Sequence, residues 1–174
     1  MLTKQSKLLK TGSKKLSKTV VRKLIKTTLE VKKLPDHHFK IVKVKRGTDG
    51  LGLFAGEFIK KGDKIIEYIG DILNKEEADK RKTSQYLFEV SRNKTIDGTP
   101  RWNIARYCNH ACEEAANGES EIIKGRVFIK AIKDIKEGEE IVYDYGEEFV
   151  KEHIVSKHTG CRCAAKVHSY TESK

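Results

Sequence analysis

Short stretches of alternating or continuous apolar residues, separated by Gly or Asp, recur along the chain from Phe39 onward. They occupy residues 39–44, 64–69, 85–90, 125–132 and 140–143. Segments of this length and spacing are typical of strands joined by turns, so the pattern predicts a mostly-β body. Two short helices are expected, at residues 75–82 and 102–107.

The segment that precedes Pro35 has apolar residues at helical spacing instead. Ser17 can cap such a helix, Pro35 would end it, and basic residues occupy the opposite face of its apolar positions, which are Val20, Val21, Leu24, Ile25 and Leu29. A basic amphipathic helix can bind nucleic acid, a membrane surface or an acidic partner. Alternatively, it can pack its apolar stripe on the body and leave its lysines in solvent. We therefore expect a basic, helical N-terminal segment at 1–38, a body at 39–150 and a C-terminal segment at 151–174.

The net charge is concentrated in the N-terminal segment. The chain carries +11 in total, of which residues 1–34 contribute +10, from 11 basic residues and one acidic residue. The rest contributes +1, from 25 basic and 24 acidic residues. A nucleic acid or an acidic partner would therefore bind through residues 1–34.

The hydropathy of the chain excludes an integral membrane protein. No apolar run approaches the roughly 18 residues of a membrane span. Lysine recurs every few residues near the N-terminus, where a secretory signal needs an uninterrupted apolar run. We expect an intracellular protein, in the nucleus or on chromatin if the source is eukaryotic and in the cytoplasm otherwise.

Soft metal ligands cluster near the C-terminus. Cys161, Cys163 and His168 lie within eight residues of one another, and thiolates and imidazole are ligands that zinc prefers. A structural zinc site needs four ligands, and Cys108 and Cys112 are the candidates for the fourth. Zinc ligation is a better interpretation of cysteines in a lysine-rich chain than disulfides, with free thiols as the alternative.

Three further motifs carry residues suited to chemistry. Residues 50–55 fit the loose dinucleotide-binding pattern, but a strand follows where a Rossmann turn needs a helix, so a tight glycine turn beside a ligand is expected instead. The Asn-His pair within residues 106–112 suits catalysis, metal binding or packing. Tyr143 and Tyr145, two residues apart on a strand, face the same side and belong either to the core or to a site.

Taken together and in this order, the motifs resemble the SET-domain family of protein-lysine methyltransferases. The resemblance covers residues 42–167 and rests on six stretches in register, at 50–55, 67–71, 86–88, 96–98, 106–110 and 140–146. It implies a SET-domain fold, with several small sheets and a pseudoknot near the active site, as the catalytic domain at 39–150. The C-terminal cysteines resemble the family's post-SET zinc motif, with His168 in place of its last cysteine.

The resemblance also implies the reactants and the roles of individual residues. S-adenosylmethionine would be the methyl donor, and a lysine of a histone or another basic protein the acceptor. Tyr145 would be the catalytic tyrosine, Tyr143 would limit the product to mono- and dimethyllysine, and Tyr86 would border both the lysine channel and the cofactor. The cofactor-binding residues would be Asp49, Leu51, Gly52, Leu53, Tyr86, Asn109, His110 and Arg162.

The family pattern assigns the fourth zinc ligand to Cys112, which gives a structural Cys3His site with Cys161, Cys163 and His168. Cys108 would then be a buried thiol without a metal. Tyr170 would either stack on adenine or belong to an unstructured end. The competing hypothesis is a non-catalytic SET-fold or zinc-containing module that binds basic proteins or nucleic acid.

Overall fold

The computed structural model describes residues 37–47, 49–155, 161–166, 168 and 170. The predicted N-terminal helix and its basic face lie outside these residues. The described part consists mainly of short strands, which confirms the mostly-β class that the sequence predicts. Within it, no helix is long and apolar enough to cross a membrane.

The strands in chain order are β1 (Val42–Gly47), β2 (Gly50–Ala55), β3 (Lys64–Tyr68), β4 (Asp71–Leu73), β5 (Leu87–Ser91), β6 (Lys94–Asp97), β7 (Asn109–His110), β8 (Gly118–Ile123), β9 (Arg126–Ala131) and β10 (Glu140–Tyr143). The helical elements are α1 (Lys75–Asp79), a 3₁₀ helix (Ile104–Tyr107) and α2 (Glu147–Phe149), which continues as a π-helical segment (Val150–Val155). Helix α1 buries no residue, and a capping box between Asn74 and Glu77 satisfies its first turn.

The strands form two sheets. The larger has seven strands, in the order β1-β2-β10-β8-β9-β3, with β7 also paired to β10, and the smaller has the order β4-β6-β5. Strand β7 runs parallel to β10, so that Asn109 pairs with Val142 and His110 with Tyr143. This pairing brings the Asn-His motif and the tyrosine motif side by side.

The hydrophobic core lies on the larger sheet. Its fully buried side chains come mainly from β2, β3, β9 and β10, and include Leu53, Ile65, Ile66, Val127, Ile129 and Ile141. Burial of one such side chain contributes roughly 1.5–3 kcal/mol relative to leaving it in water. The core therefore holds β10 in place, and with it Tyr143 at the end of that strand and Tyr145 just beyond it.

The glycine motif at residues 50–55 differs from the prediction of a tight turn, because it forms strand β2. The turn lies just before it, in a hairpin that pairs Gly47 with Gly50, and Gly50 has a φ of +100° that favours glycine. The predicted helix at 102–107 is also shorter, since only residues 104–107 are helical, in 3₁₀ form.

Candidate active site and metal centre

A cavity of about 970 Å³ lies where the two sheets meet. Its walls come from β3, β5, the 3₁₀ helix, β7, the end of β10 and α2. The π-helical segment, Asp49 and Leu51 of the β1–β2 hairpin and Arg162 of the C-terminal segment line it as well. A volume of this size accommodates a cofactor-sized molecule.

Tyr143 and Tyr145 form one wall of this cavity. Their ring centres are 4.8 Å apart, and the Tyr145 hydroxyl donates a hydrogen bond of 2.7 Å to the carbonyl oxygen of Cys108. Burial, with a smaller contribution from neighbouring phenol and thiol groups, raises the pKa of both tyrosines well above the ordinary value. Both hydroxyls therefore stay protonated at neutral pH and act as hydrogen-bonding groups, not as bases.

Tyr68 and Tyr86 line the cavity as well, and each is held by a specific contact. The Tyr68 hydroxyl donates to the carbonyl oxygen of Tyr86 at 2.9 Å, and burial raises the pKa of Tyr68. The guanidinium carbon of Arg106 lies 3.9 Å from the centre of the Tyr86 ring, within the range of a cation–π contact. The aromatic wall is thus built from side chains that cannot turn freely.

Asn109 and His110 of β7 reach the cavity next to the tyrosines. The Asn109 amide nitrogen donates to the Leu51 carbonyl oxygen at 3.2 Å and to a Glu140 carboxylate oxygen at 2.8 Å. The Nδ1 atom of His110 accepts from the Tyr145 backbone nitrogen at 3.3 Å. Burial lowers the pKa of His110, an effect that nearby Asp144 opposes and His168 reinforces. Its ring is therefore neutral at physiological pH.

The candidate metal centre joins Cys112, two residues after His110, to the C-terminal segment. It consists of four side chains whose ligand atoms all lie within 4.8 Å of one another, those of Cys112, Cys161, Cys163 and His168. Sγ of Cys112 is 4.0 Å from Sγ of Cys161 and 3.6 Å from Nδ1 of His168, and Sγ of Cys163 is also 3.6 Å from that nitrogen.

These separations fit a tetrahedral zinc ion. Zinc bonds of about 2.3 Å to sulfur and about 2.0 Å to nitrogen place two sulfur donors roughly 3.8 Å apart, and a sulfur and a nitrogen donor roughly 3.5 Å apart. Cys108 is outside this group, because it is buried and its thiol donates to the Ile141 carbonyl oxygen at 3.1 Å. The four side chains that the structure brings together are thus those that the family pattern assigns.

The sequence matches the family model described as SET domain over residues 50–146, more than half of the 174-residue chain. The chain belongs to the SET-domain family. This membership confirms the resemblance that the six sequence stretches indicate.

Among curated relatives of this SET domain, a Schizosaccharomyces pombe protein named "Histone-lysine N-methyltransferase, H3 lysine-4 specific" is 42% identical over 107 residues, covering 55% of this chain and 11% of that protein. "Histone-lysine N-methyltransferase ASHH3" of Arabidopsis thaliana is 35% identical over 126 residues, covering 67% of this chain and 33% of that protein. The chain therefore spans between a tenth and a third of the length of these relatives.

A solved structure of Chaetomium thermophilum Polycomb Repressive Complex 2 contains a chain of similar fold. It matches with a TM-score of 0.58 and 30% sequence identity, and the match covers 66% of this chain and 16% of that chain. The likeness confirms the SET-domain architecture of the described part.

Most residues predicted for the site of this SET domain line the cavity, namely Tyr86, Tyr143, Tyr145, Asp49, Leu51, Asn109, His110 and Arg162. Two do not. Leu53 is fully buried in the core, and Gly52 lies against the Glu140 carboxylate. Both belong to strand β2, whose Leu51 carbonyl oxygen accepts from Asn109.

Several lining residues are not among those that the sequence predicts for the site. Tyr68 and Arg106 occur within stretches that carry the family resemblance, which indicates their positions but not their contacts. Phe149 and His153 lie after the last such stretch, and their rings are 4.5 Å apart on the α2 and π-helical segment. No local pattern distinguishes these two residues from ordinary core residues.

Two residues of the C-terminal segment, Tyr170 and Arg162, make polar contacts with the body near the cavity. The Tyr170 hydroxyl donates to the Asp144 carboxylate at 3.0 Å, and its ring centre lies 6.5 Å from that of His110. Arg162 lies 3.8 Å from the Asp49 carboxylate. Tyr170 is therefore attached to the tyrosine motif, beside the imidazole that lines the cavity.

Proposed function

We propose that this chain transfers a methyl group from S-adenosylmethionine to the side-chain amine of a lysine in a protein. The observation that carries the proposal is the shared cavity. The tyrosine pair of the 140–146 motif and the Asn-His pair of the 106–110 motif both line it, because β7 and β10 run side by side. The acceptor amine and the methyl donor can thus meet in one cavity.

The polar groups around the cavity suit S-adenosylmethionine, which supplies an electrophilic methyl group on a sulfonium when bound. Asn109 and the neutral ring of His110 offer hydrogen-bonding groups, and Asp49 and Arg162 offer one charge of each sign. These match the ammonium, carboxylate and adenine groups of the donor. Leu51 and Tyr86 would add contacts through backbone and ring, with Gly52 and Leu53 supporting the wall behind them.

The aromatic wall favours a neutral acceptor amine. A lysine in water has a pKa near 10.4 and is charged at neutral pH. A cavity walled by Tyr68, Tyr86, Tyr143 and Tyr145 withholds water from the ammonium and so disfavours it. The ammonium would therefore release its proton to bulk water before or as the amine enters.

Tyr145 is proposed as the group that orients this amine. Its hydroxyl hydrogen points to the Cys108 carbonyl oxygen, so the lone pairs of the phenol oxygen can accept an N–H of the amine. An amine held in this way directs its own lone pair toward the methyl group, which is the positioning contribution to catalysis. Tyr143, adjacent to it, would restrict the room for methyl groups and favour mono- and dimethyllysine.

The Cys3His group is proposed to hold one structural zinc ion. Four protein ligands leave no open position for a substrate, which is typical of structural sites. Cys112, Cys161, Cys163 and His168 would join the C-terminal segment to the residue that follows His110, and so keep Arg162 at the cavity.

The acceptor is proposed to be a histone, because the relatives named above are histone-lysine methyltransferases. The chain would then act on chromatin, in the nucleus. Residues 1–34, with their charge of +10, are proposed to bind nucleic acid or an acidic protein surface near the substrate.

The test is transfer of a radioactive methyl group from S-adenosylmethionine to purified core histones by the full chain. We expect label on a histone lysine, confirmed by mass spectrometry, and little label with the Tyr145→Phe variant. A chain that binds S-adenosylmethionine but labels neither histones nor a mixed basic protein extract would favour the non-catalytic binding module.

A further inference from the structure

We infer that Glu140 is a positioning residue that fixes the Asn109 amide at the cavity, and that position 52 is glycine because the Glu140 side chain occupies the adjacent space. This inference rests on the proposed function, since it assigns a residue that acts through Asn109 on the methyl donor. Glu140 itself is not among the residues that line the cavity.

The backbone of Glu140 is held rigidly. The Asn117 amide nitrogen donates to the Glu140 carbonyl oxygen at 2.8 Å, and the Asn117 amide oxygen accepts from the Val142 backbone nitrogen at 3.0 Å. Glu140 also pairs with Phe54 across the β2–β10 ladder. These contacts hold the α-carbon of Glu140 in place. Its side chain lies on the same face of the sheet as Phe54 and Gly52.

The glycines at positions 47 and 52 leave the space that this carboxylate fills. A β-carbon at position 52 would overlap a carboxylate oxygen of Glu140, and one at position 47 would lie 2.9 Å from it. Gly52 lies within a strand, where glycine is unfavourable without a reason. A glycine motif beside a cavity first suggests that the glycine makes room for a bound ligand. At position 52, glycine instead makes room for the Glu140 carboxylate.

The carboxylate in turn orients the Asn109 amide. Both neighbours of the amide nitrogen are acceptors, the Glu140 carboxylate and the Leu51 carbonyl oxygen, so the nitrogen must face them and the amide oxygen must face away. Among the described residues, none donates to that amide oxygen. Asn109 thus presents an oriented acceptor to a donor group such as the ammonium of S-adenosylmethionine.

The test combines variants at positions 52 and 140 in the full chain. Glu140→Ala should weaken binding of S-adenosylmethionine, measured by calorimetry, about fivefold, as expected for loss of one positioning hydrogen bond. Glu140→Gln should stay close to wild type, because its amide oxygen can still accept from Asn109. Glu139→Ala is the matched control, since that carboxylate accepts from the Lys136 backbone nitrogen in an exposed turn.

Gly52→Ala should weaken binding to the same degree as Glu140→Ala, because the new methyl group displaces the flexible carboxylate from Asn109. The double variant should then be no weaker than either single variant. Additive losses would mean that Gly52 makes room for the ligand directly, and would overturn the inference. So would wild-type affinity in Glu140→Ala.

A second readout needs no methyl donor. The side-chain NH₂ signals of Asn109, assigned by their absence in Asn109→Asp, should shift and exchange faster with water in Glu140→Ala and Gly52→Ala but not in Glu139→Ala. Unchanged signals would overturn the inference. If the wild-type chain binds no S-adenosylmethionine, the proposed function fails, whereas this readout still decides the role of Glu140.

Discussion

The hydroxyl of Tyr145 donates its hydrogen to the backbone carbonyl of Cys108, at 2.7 Å. This contact spans 37 residues of sequence and joins the end of the tyrosine motif to the residue that precedes the Asn-His pair. The phenol oxygen is thereby held in one orientation, and its lone pairs remain available to an incoming amine. A catalytic role for Tyr145 requires such an arrangement.

Tyr145→Phe keeps the ring and its edge contact with Phe149 but removes the hydroxyl. Methyl transfer should fall at least tenfold, a loss of more than about 1.4 kcal/mol of transition-state stabilisation. Affinity for S-adenosylmethionine, measured separately, should change little. Activity equal to that of the wild type would exclude Tyr145 as the catalytic tyrosine.

Tyr143→Phe should raise the degree of methylation. In the proposed site the wild-type hydroxyl would occupy room next to the acceptor amine, so a methylated amine would have difficulty turning for a second or third transfer. Mass spectrometry of the product should find mainly mono- and dimethyllysine with the wild type, and more of the higher forms with the variant. A wild-type product that is mainly trimethyllysine contradicts this role.

One zinc ion per chain should be found by elemental analysis, and two cysteine variants distinguish its ligands. Cys112→Ser should lose the metal, because it removes a thiolate from the Cys3His group. Cys108→Ser should keep it, since a serine hydroxyl can still donate to the Ile141 carbonyl oxygen, as the thiol does. Equal zinc content in the two variants would mean that the ligand assignment is wrong.

A chain shortened to begin at Pro35 should methylate a short free peptide as well as the full chain does, because every motif of the site lies beyond Phe39. It should be less active on a target presented with nucleic acid or an acidic surface. That difference should shrink as salt rises, because attraction by residues 1–34 is largely electrostatic.

A thermal melt of the shortened chain provides the control. An unchanged Tm supports a docking arm. A fall of many degrees would mean that the apolar positions of the predicted helix are buried in the folded chain, and that residues 1–34 are structural.

Local patterns predicted much of the fold. Strands β3, β9 and β10 coincide closely with apolar stretches, because each buries alternate or consecutive side chains in the core. The residues of the Cys3His group and the tyrosine pair were also predictable, because the spacing of the cysteines and the family motif indicate them directly. The roles of individual site residues remain predictions that the variants above test.

Pairing between distant segments could not be predicted in the same way. Strand β2 contains two glycines, which in the sequence alone indicate a turn. The side chain that occupies the space beside Gly52 comes from Glu140, 88 positions further along the sequence. The stacking of Arg106 on Tyr86 likewise depends on the packing of the 3₁₀ helix against the segment before β5. Such contacts leave no trace in local periodicity.

The cavity and the candidate metal centre share one short stretch of chain, because His110 lines the former and Cys112 belongs to the latter. If zinc and the methyl donor each stabilise this segment, thermodynamic linkage makes their effects mutual: zinc would raise the affinity for the methyl donor by the same factor as the donor raises the affinity for zinc. Methylation would then respond to the supply of a metal that takes no part in the chemistry. A cell short of zinc would lose the modification even with its methyl donor in abundance.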